Sequence, residues 1–317
     1  MSSEPASPDP NATEEAKGRK PAVREDLMTL TKFRLSALVI VTTFFGFWLN
    51  SGEKVNVWLL IHTLIGSILA AFGAGVFNQL MEIEPDSRMQ RTADRPLPAR
   101  RMEPGMAFGI GWLLSAFSLI HLANMVNMEA ASLTAMTLGV YLFIYTPMKQ
   151  GSSWNTIVGA VSGALPPLIG WAGAAGPATE TDGYFRWHLL FEPGAIYLFM
   201  LLFLWQMPHF LAINWMYRDE YRRGGFVMLA NDDDSGTKTS WVSLFFAIMA
   251  ALLMFLPPLA GLTNYWFLLP ALAVNFVLIA LAWKFCQQRE RPVARKLFFF
   301  TLLYLPVMLM VSLLFWL

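Results

Sequence analysis

Apolar residues are grouped along the 317-residue chain in nine long blocks that polar segments separate. A helix needs about 20 residues to cross the hydrocarbon core of a bilayer, and most blocks approach or exceed that length. None alternates with the period of two that marks barrel strands. We therefore predict an all-α integral membrane protein, a bundle of nine transmembrane helices over 35–50, 55–80, 106–125, 130–148, 154–175, 194–216, 241–262, 265–286 and 297–317.

Composition narrows the possible functions of this bundle. Only 14% of residues are charged, against about a quarter in a soluble domain. Basic and acidic residues nearly balance, at 23 and 22, so no overall basicity suggests a nucleic-acid partner. The one cysteine, Cys286, excludes an internal disulfide and a cysteine zinc site. The lipid bilayer is thus the first predicted partner.

The first 26 residues differ from the rest of the chain. They contain four prolines and charges of both signs but almost no large apolar residue, which predicts a disordered tail over 1–26 before a transmembrane domain over 27–317. The tail lacks the basic start and apolar core of a secretory signal, and its acidic residues disfavour a mitochondrial presequence. A bacterial inner membrane is the simpler location.

Basic residues predict the orientation of the bundle. Of the 23, 21 lie before the first block, at the end of the eighth block, or in the loops after the second, fourth, sixth and eighth blocks, leaving only Lys54 and Arg186 for the other side. Cytoplasmic loops are enriched in Lys and Arg. We therefore expect a cytoplasmic amino terminus and, after nine spans, a carboxyl terminus on the opposite side.

Acidic residues gather in the loop that follows the second block. Asn78, Glu82 and Asp86 are four residues apart, which places them along one face of a helix. Their oxygens suit Mg²⁺, a cation normally shared with substrate phosphates. Pro85 disfavours a continued helix, so Asp86 is expected to leave a straight face with Asn78.

A second acidic pair, Asp219 and Glu220, follows the sixth block on the same predicted side. The two clusters could face each other across a central cavity open toward the cytoplasm and hold a metal-bound diphosphate, with Asp219 and Glu220 not separable as ligands. The catalytic and metal candidates are Asn78, Glu82, Asp86, Asp219 and Glu220. The diphosphate-binding candidates are Arg88, Arg91, Arg95, Lys149, Arg218 and Arg222. The alternative is solvated loops that follow the cytoplasmic bias of basic residues, although Asn78 in an apolar stretch favours function.

Four segments of the chain, in order, resemble a known family. The run from Asn78 through Arg91-Thr92 to Arg95-Pro96 is similar to the first signature of the protoheme IX farnesyltransferases, or haem O synthases, a branch of the UbiA-type intramembrane prenyltransferases. The resemblance covers about residues 28–317, and its other segments are Tyr145–Lys149 with Asn155 to Gly170, and Trp205–Phe210 with Asp219-Glu220-Tyr221. Thr31-Lys32 before the first block and Tyr304-Leu305-Pro306 in the ninth also fit. Glu82, Glu84 and Glu220 stand where the family more usually has Asp.

The resemblance implies a reaction that the residues alone only permit. A farnesyl group would pass from farnesyl diphosphate, held by Mg²⁺, to a vinyl group of haem b, and addition of water would give haem O. Haem b is then a substrate and not a cofactor. The implied partners are a downstream haem A synthase or the assembly of a haem–copper oxidase.

Histidines and other function classes leave alternatives. His209 lies in the family-like run beside Pro208, and two interpretations remain: it orients haem, as an axial ligand or otherwise, or it is packed between helices. We expect His62 to be packed and His121 and His188 to be interfacial. A prenyltransferase acting on an aromatic or quinone precursor shares the metal chemistry. A polytopic transporter would more often place charges near the bilayer midplane.

Overall fold

The computed structural model of the protein describes residues 23–179 and 185–317. Within these residues nine helices are long and apolar enough to cross a membrane, which confirms the predicted all-α membrane fold. They are the first to ninth spans, in order Phe33–Asn50, Val57–Met81, Pro104–Met125, Met128–Met148, Asn155–Ala174, Pro193–Met216, Thr237–Leu259, Tyr265–Gln287 and Arg291–Phe315. The ninth begins six residues before the predicted block, because its first residues carry charge on a helix that projects beyond the apolar layer.

A short helix, Val23–Leu30, precedes the first span. The predicted disordered tail therefore ends too late at residue 26, and its residues 1–22 lie outside the described part of the chain. Two contacts fix this helix: Asp26 forms an ion pair with Arg101, at 2.9 Å, and Leu30 is fully buried. A local pattern of proline and charge does not reveal such long-range contacts.

Two spans are irregular where they border the interior. The fourth contains a π-helical segment, Val140–Tyr145, between its α-helical parts. The fifth breaks into Asn155–Gly163 and Pro166–Ala174, since Pro166 has no N–H to continue the first helix. Insertions of π geometry often accompany functional sites because they turn side chains away from the regular helical positions.

The second span ends at Met81, and a five-residue helix, Ile83–Ser87, follows Glu82. The expected interruption is thus present, but it lies three residues before Pro85, which occupies the first turn of the new helix, where no N–H is needed. Helical hydrogen bonds continue on both sides of the junction, from the N–H of Glu82 to the carbonyl of Asn78 at 3.1 Å and from the N–H of Asp86 to the carbonyl of Glu82 at 2.8 Å. Both carboxylates remain on one side of the chain.

Close helix packing holds the first span against the fifth. A Cβ at Gly46 would lie 2.0 Å from the carbonyl oxygen of Pro167, and one at Gly170 would lie 1.9 Å from that of Thr43. Glycine is therefore required at both positions, as is common where membrane helices approach closely. The first, second, fourth, fifth and sixth spans surround a cavity of about 560 Å³.

Candidate active site

The cavity has an apolar interior and one charged end. Residues of five spans line the interior, among them Leu38, Ala70, Leu138 and Ile169. The charged end lies where the loops after the second and sixth spans meet. Four basic and two acidic side chains line it: Lys32, Arg91, Arg95, Lys149, Glu82 and Asp86. The cavity thus combines a long apolar chamber with an excess of positive charge at its mouth.

Glu82 and Lys149 form a buried ion pair at this mouth. The Nζ of Lys149 donates a hydrogen bond to the Oε1 of Glu82 at 2.7 Å, and the ammonium also lies 4.5 Å from the centre of the Tyr145 ring. Burial opposes ionisation, yet Lys149 and Lys32 hold the pKa of Glu82 below its usual value. The pKa of Lys149 is raised, since its burial is outweighed by Tyr145 and Glu82. Both groups are therefore charged at neutral pH.

Asp86 is held by the arginine at the end of the same loop. Its carboxylate pairs with the guanidinium of Arg95, and only 1% of its side chain is exposed. The hydroxyl of Thr92 donates to the backbone carbonyl of Asp86 at 2.9 Å, which closes the loop on itself. Burial raises the pKa of Asp86, against the attraction of Arg95. The loop thus presents a second carboxylate to the cavity beside Glu82.

Asn78 lies behind these carboxylates and not among the residues described as lining the cavity. It is fully buried, accepts a hydrogen bond from Lys32, and donates one to the hydroxyl of Thr146 at 3.4 Å. Burial lowers the pKa of Lys32 to about 7, although Glu82 raises it. Lys32 was not among the site candidates, yet it lines the mouth. Its sequence signal is the Thr31-Lys32 pair before the first apolar block, which is part of the family resemblance.

Arg91 joins the loop after the second span to the loop after the sixth. Its guanidinium carbon lies 5.1 Å from the centre of the Tyr217 ring and 5.2 Å from that of Tyr221, and its backbone N–H donates to the Oε2 of Glu220 at 3.4 Å. The two loops therefore meet at the mouth of the cavity. Asp219 is directed elsewhere and pairs with Arg291 of the ninth span, with 58% of its side chain exposed.

The remaining phosphate candidates lie outside the cavity lining, with Arg88 and Arg222 exposed and Arg218 half-buried. Arg88 pairs with Glu84, Arg218 lies over the Trp215 ring at 4.3 Å, and Arg222 donates to the carbonyl of Asn231 at 3.1 Å. Within the described residues, the cavity lining contains none of these three arginines, nor Asp219 or Glu220. The structure thus brings Glu82, Asp86, Arg91, Arg95 and Lys149 together and leaves the others at the rim.

The donor chemistry at the mouth fits Mg²⁺. In the described part of the chain no three side chains of His, Cys, Asp or Glu form a cluster able to hold a metal ion. Mg²⁺ does not require one, because it keeps several waters and commonly binds one or two carboxylates together with substrate phosphates. Glu82 and Asp86 provide two such carboxylates in the cavity lining.

His209 borders the interior of the cavity. Its Nδ1 lies 2.9 Å from the hydroxyl oxygen of Thr301, which donates its single proton to the carbonyl of Phe298 at 2.6 Å. With this arrangement of donors, Thr301 accepts from His209, which assigns the proton of a neutral imidazole to Nδ1 and leaves a lone pair on Nε2. The ring is stacked on Trp205, with centroids 5.1 Å apart. Both earlier interpretations, haem contact and packing, find support in these contacts.

The position of His121 differs from the expectation, whereas that of His62 does not. His62 and His121 lie on the neighbouring second and third spans, and their Nδ1 and Nε2 atoms are 3.2 Å apart. His62 is therefore packed between helices, as expected, but its partner is the histidine for which an interfacial position was expected. Neither lines the cavity.

Aromatic residues of the fourth span also line the site, and neither was a site candidate, although Tyr145 begins one of the family-like segments. Tyr141 and Tyr145 lie on the π-helical segment with ring centroids 5.4 Å apart, and both line the cavity. Tyr145 fits against Gly159 of the fifth span, where a Cβ would lie 2.6 Å from the ring. Their spacing of four residues, ending four residues before Lys149, was a signal that could have identified them.

Comparison with known sequences identifies this arrangement. The sequence pattern of the UbiA prenyltransferase family matches residues 39–304. The chain belongs to the UbiA prenyltransferase family. Two similar relatives are both named protoheme IX farnesyltransferase. The protein from Solibacter usitatus is 36% identical over 89% of this chain and 95% of its own length, and that from Opitutus terrae is 38% identical over 90% and 92%.

Solved structures of UbiA-type proteins share the fold. A digeranylgeranylglyceryl phosphate synthase superimposes with a TM-score of 0.73 at 14% identity, over 92% of this chain and 97% of that one. A UbiA homologue from Archaeoglobus fulgidus, bound to GPP and Mg²⁺, superimposes with a TM-score of 0.58 at 12% identity, over 90% and 99%. Because the sequence identity is so low, these structural similarities establish the shared fold of the nine spans and nothing about the reaction.

Proposed function

We propose that this chain transfers the farnesyl group of farnesyl diphosphate to a vinyl group of haem b, with addition of water, to give haem O. The observation that carries the proposal is the cavity, whose charged mouth opens onto an apolar chamber. The acceptor follows from the relatives named protoheme IX farnesyltransferase, which match about nine-tenths of the chain. UbiA membership supports the prenyl donor.

The charges at the mouth suit a diphosphate bound with its metal. Lys149 and Arg95 each neutralise a carboxylate in the structure and would turn to phosphate oxygens when a divalent cation takes Glu82 and Asp86. Mg²⁺, when bound, neutralises the diphosphate as it leaves. Arg91 supplies a further guanidinium from the junction of the two loops. Asn78 positions Lys32, and Asp219 and Glu220 are rim groups that a movement of their loop could bring closer.

The chamber suits the organic part of the reaction. As the bond from C1 of farnesyl to the diphosphate breaks, the vinyl π electrons form a new bond to C1. Water then adds to the resulting cation beside the porphyrin ring and loses a proton. Tyr141 and Tyr145 present ring faces near the mouth, where they can stabilise the allylic cation. The apolar walls delay contact with water until carbon–carbon bond formation is complete.

His209 is proposed to orient haem through the lone pair on Nε2, with Thr301 as its positioning residue. Loss of the hydroxyl in Thr301→Val should change the absorption spectrum of bound haem, whereas Thr301→Ser should restore it. In a His209→Ala background, Thr301→Val should no longer change that spectrum. A wild-type spectrum for His209→Ala on titration with haem b would leave only the packing role.

The chain is a multi-pass membrane protein. We propose a bacterial inner membrane as its location, with a cytoplasmic amino terminus, the carboxyl terminus outside, and the charged mouth facing the cytoplasm. The distribution of 21 of 23 basic residues supports this orientation. Cysteine accessibility in intact cells would test it, with cysteines introduced at Glu84 and Glu53 expected to be protected and labelled, respectively.

The central experiment is incubation of the purified protein with haem b, farnesyl diphosphate and Mg²⁺, followed by mass analysis for haem O. The second candidate, a prenyltransferase for an aromatic or quinone precursor, shares the mouth and differs in the acceptor. Prenylation of 4-hydroxybenzoate in the absence of any haem product would reverse the choice between them. A downstream haem A synthase or oxidase assembly would be sought among proteins that accept haem O.

A further inference from the structure

A second concave surface lies outside the cavity, between the end of the sixth span and the start of the ninth. It encloses about 440 Å³, and we call it the Arg–Phe groove. Its lining residues are Met216, Tyr217, Arg291, Pro292, Arg295, Phe298 and Phe299. Two are arginine and, in the part of the chain that the structure describes, none of those lining it is acidic.

The groove has a polar and an apolar end along one helix. Arg291 and Arg295 are one turn apart, and Phe298 and Phe299 follow about 10 Å further from Arg291 toward the membrane interior. Arg291 is engaged by Asp219. Arg295 lies over the Phe299 ring at 5.5 Å, and none of the described ion pairs includes it. A flat ligand with carboxylates at one edge would match this order of groups.

The groove shares its walls with the candidate active site. Phe298 contributes to the groove, and its ring centroid lies 5.0 Å from that of His209 in the cavity lining. Tyr217 also contributes to the groove, and its ring contacts Arg91 of the cavity mouth. A ligand in the groove would therefore be one side chain away from the cavity.

We propose that the Arg–Phe groove is a docking site for haem b, a rigid apolar macrocycle with two propionates at one edge. Arg295, and Arg291 in exchange with Asp219, would bind the propionates, while Phe298 and Phe299 contact the macrocycle. Carboxylates are costly within hydrocarbon, so haem in a membrane keeps its propionates at the surface and its opposite edge below it. This inference rests on the proposed function for the choice of haem as ligand.

The test compares two neighbouring cations of the full chain in phosphatidylcholine nanodiscs. Arg295→Gln removes a groove charge, and Lys296→Gln removes an equal, exposed charge that does not line the groove. We expect the Kd for haem b, measured by absorption titration, to rise about fivefold for Arg295→Gln, the upper range for an exposed ion pair. The KM for farnesyl diphosphate should change less than about twofold, and Lys296→Gln should alter neither constant.

The dimethyl ester of haem b provides the matched ligand. Wild-type protein should bind the ester at least about fivefold more weakly than haem b, and Arg295→Gln should reduce this difference to the part that Arg291 contributes. Equal Kd values for Arg295→Gln and Lys296→Gln would overturn the proposal. The proposal would also be overturned if Arg295→Gln lost affinity for haem b only when anionic lipid is added, since the groove would then hold a phospholipid headgroup. The haem titration requires no turnover. Failure to form haem O would therefore reject the proposed function without deciding whether the groove binds haem b.

Discussion

Two acidic clusters that look alike in the sequence occupy different environments in the structure. Glu82 and Asp86 lie in the cavity lining with 6% and 1% of their side chains exposed, and each faces a basic group. Asp219 is 58% exposed and pairs with a surface arginine. A charge acts more strongly where water is excluded, so the same residue types have unequal capacity to stabilise a leaving group.

The local chain path explains the difference. After Met81 a new helix begins without loss of the helical hydrogen bond at Asp86, so both carboxylates of the first loop turn inward. After Met216 the helix Arg218–Arg223 contains no buried residue, and Asp219 in its first turn is exposed beside Arg291. The first loop is therefore part of the cavity, and the second covers its rim.

The largest expected effect comes from removing a buried carboxylate charge without changing its shape. Glu82→Gln and Asp86→Asn should each lower kcat for haem O formation by at least about 100-fold, because the metal-bound diphosphate loses a ligand. Glu84→Gln, from the same loop but exposed and paired with Arg88, is the matched control and should remain near wild type. Equal activity of all three variants would remove the metal assignment.

The next largest difference between the two acidic clusters is expected in the free energy of unfolding. Lys149→Met leaves Glu82 buried without its closest cation and should lower the free energy of unfolding by about 3 kcal/mol. The double variant Lys149→Met with Glu82→Gln should recover part of that loss. Arg291→Met, which breaks the exposed pair with Asp219, should cost less than about 1 kcal/mol. Denaturation in detergent measures all three, and similar losses would contradict the difference in burial.

A smaller contrast is expected inside the first loop. Arg95 lines the cavity and pairs with Asp86, whereas Arg88 is exposed and pairs with Glu84. Arg95→Gln should raise the KM for farnesyl diphosphate about tenfold, since a charge-assisted contact to phosphate is lost. Arg88→Gln should raise it less than about twofold. Steady-state kinetics at saturating haem separates them, and the reverse order would mean that the loop rearranges around the substrate.

The sequence predicted those features that depend on local pattern. Nine apolar blocks predicted nine spans, because backbone groups in lipid must be satisfied within each helix. Motif spacing selected Glu82, Asp86, Arg95 and Lys149, all of which line the cavity. Burial is a property of the packed bundle, so the pattern treated Arg88 as equivalent to Arg95 and left Lys32 out of the site candidates. The tautomer of His209 depends on Thr301, which lies 92 residues away.

The smallest effects are expected at the second cluster, and they test whether the rim remains where the structure has it. Asp219→Asn and Glu220→Gln should lower kcat/KM for farnesyl diphosphate by no more than about fivefold, because exposed charges at the rim contribute at most about 1 kcal/mol. If Asp219→Asn lost as much activity as Glu82→Gln, the second loop would instead close over the bound diphosphate. In that case Arg291→Gln, which frees Asp219, should raise rather than lower the affinity, and a titration with farnesyl diphosphate and Mg²⁺ decides between a fixed rim and a closing one.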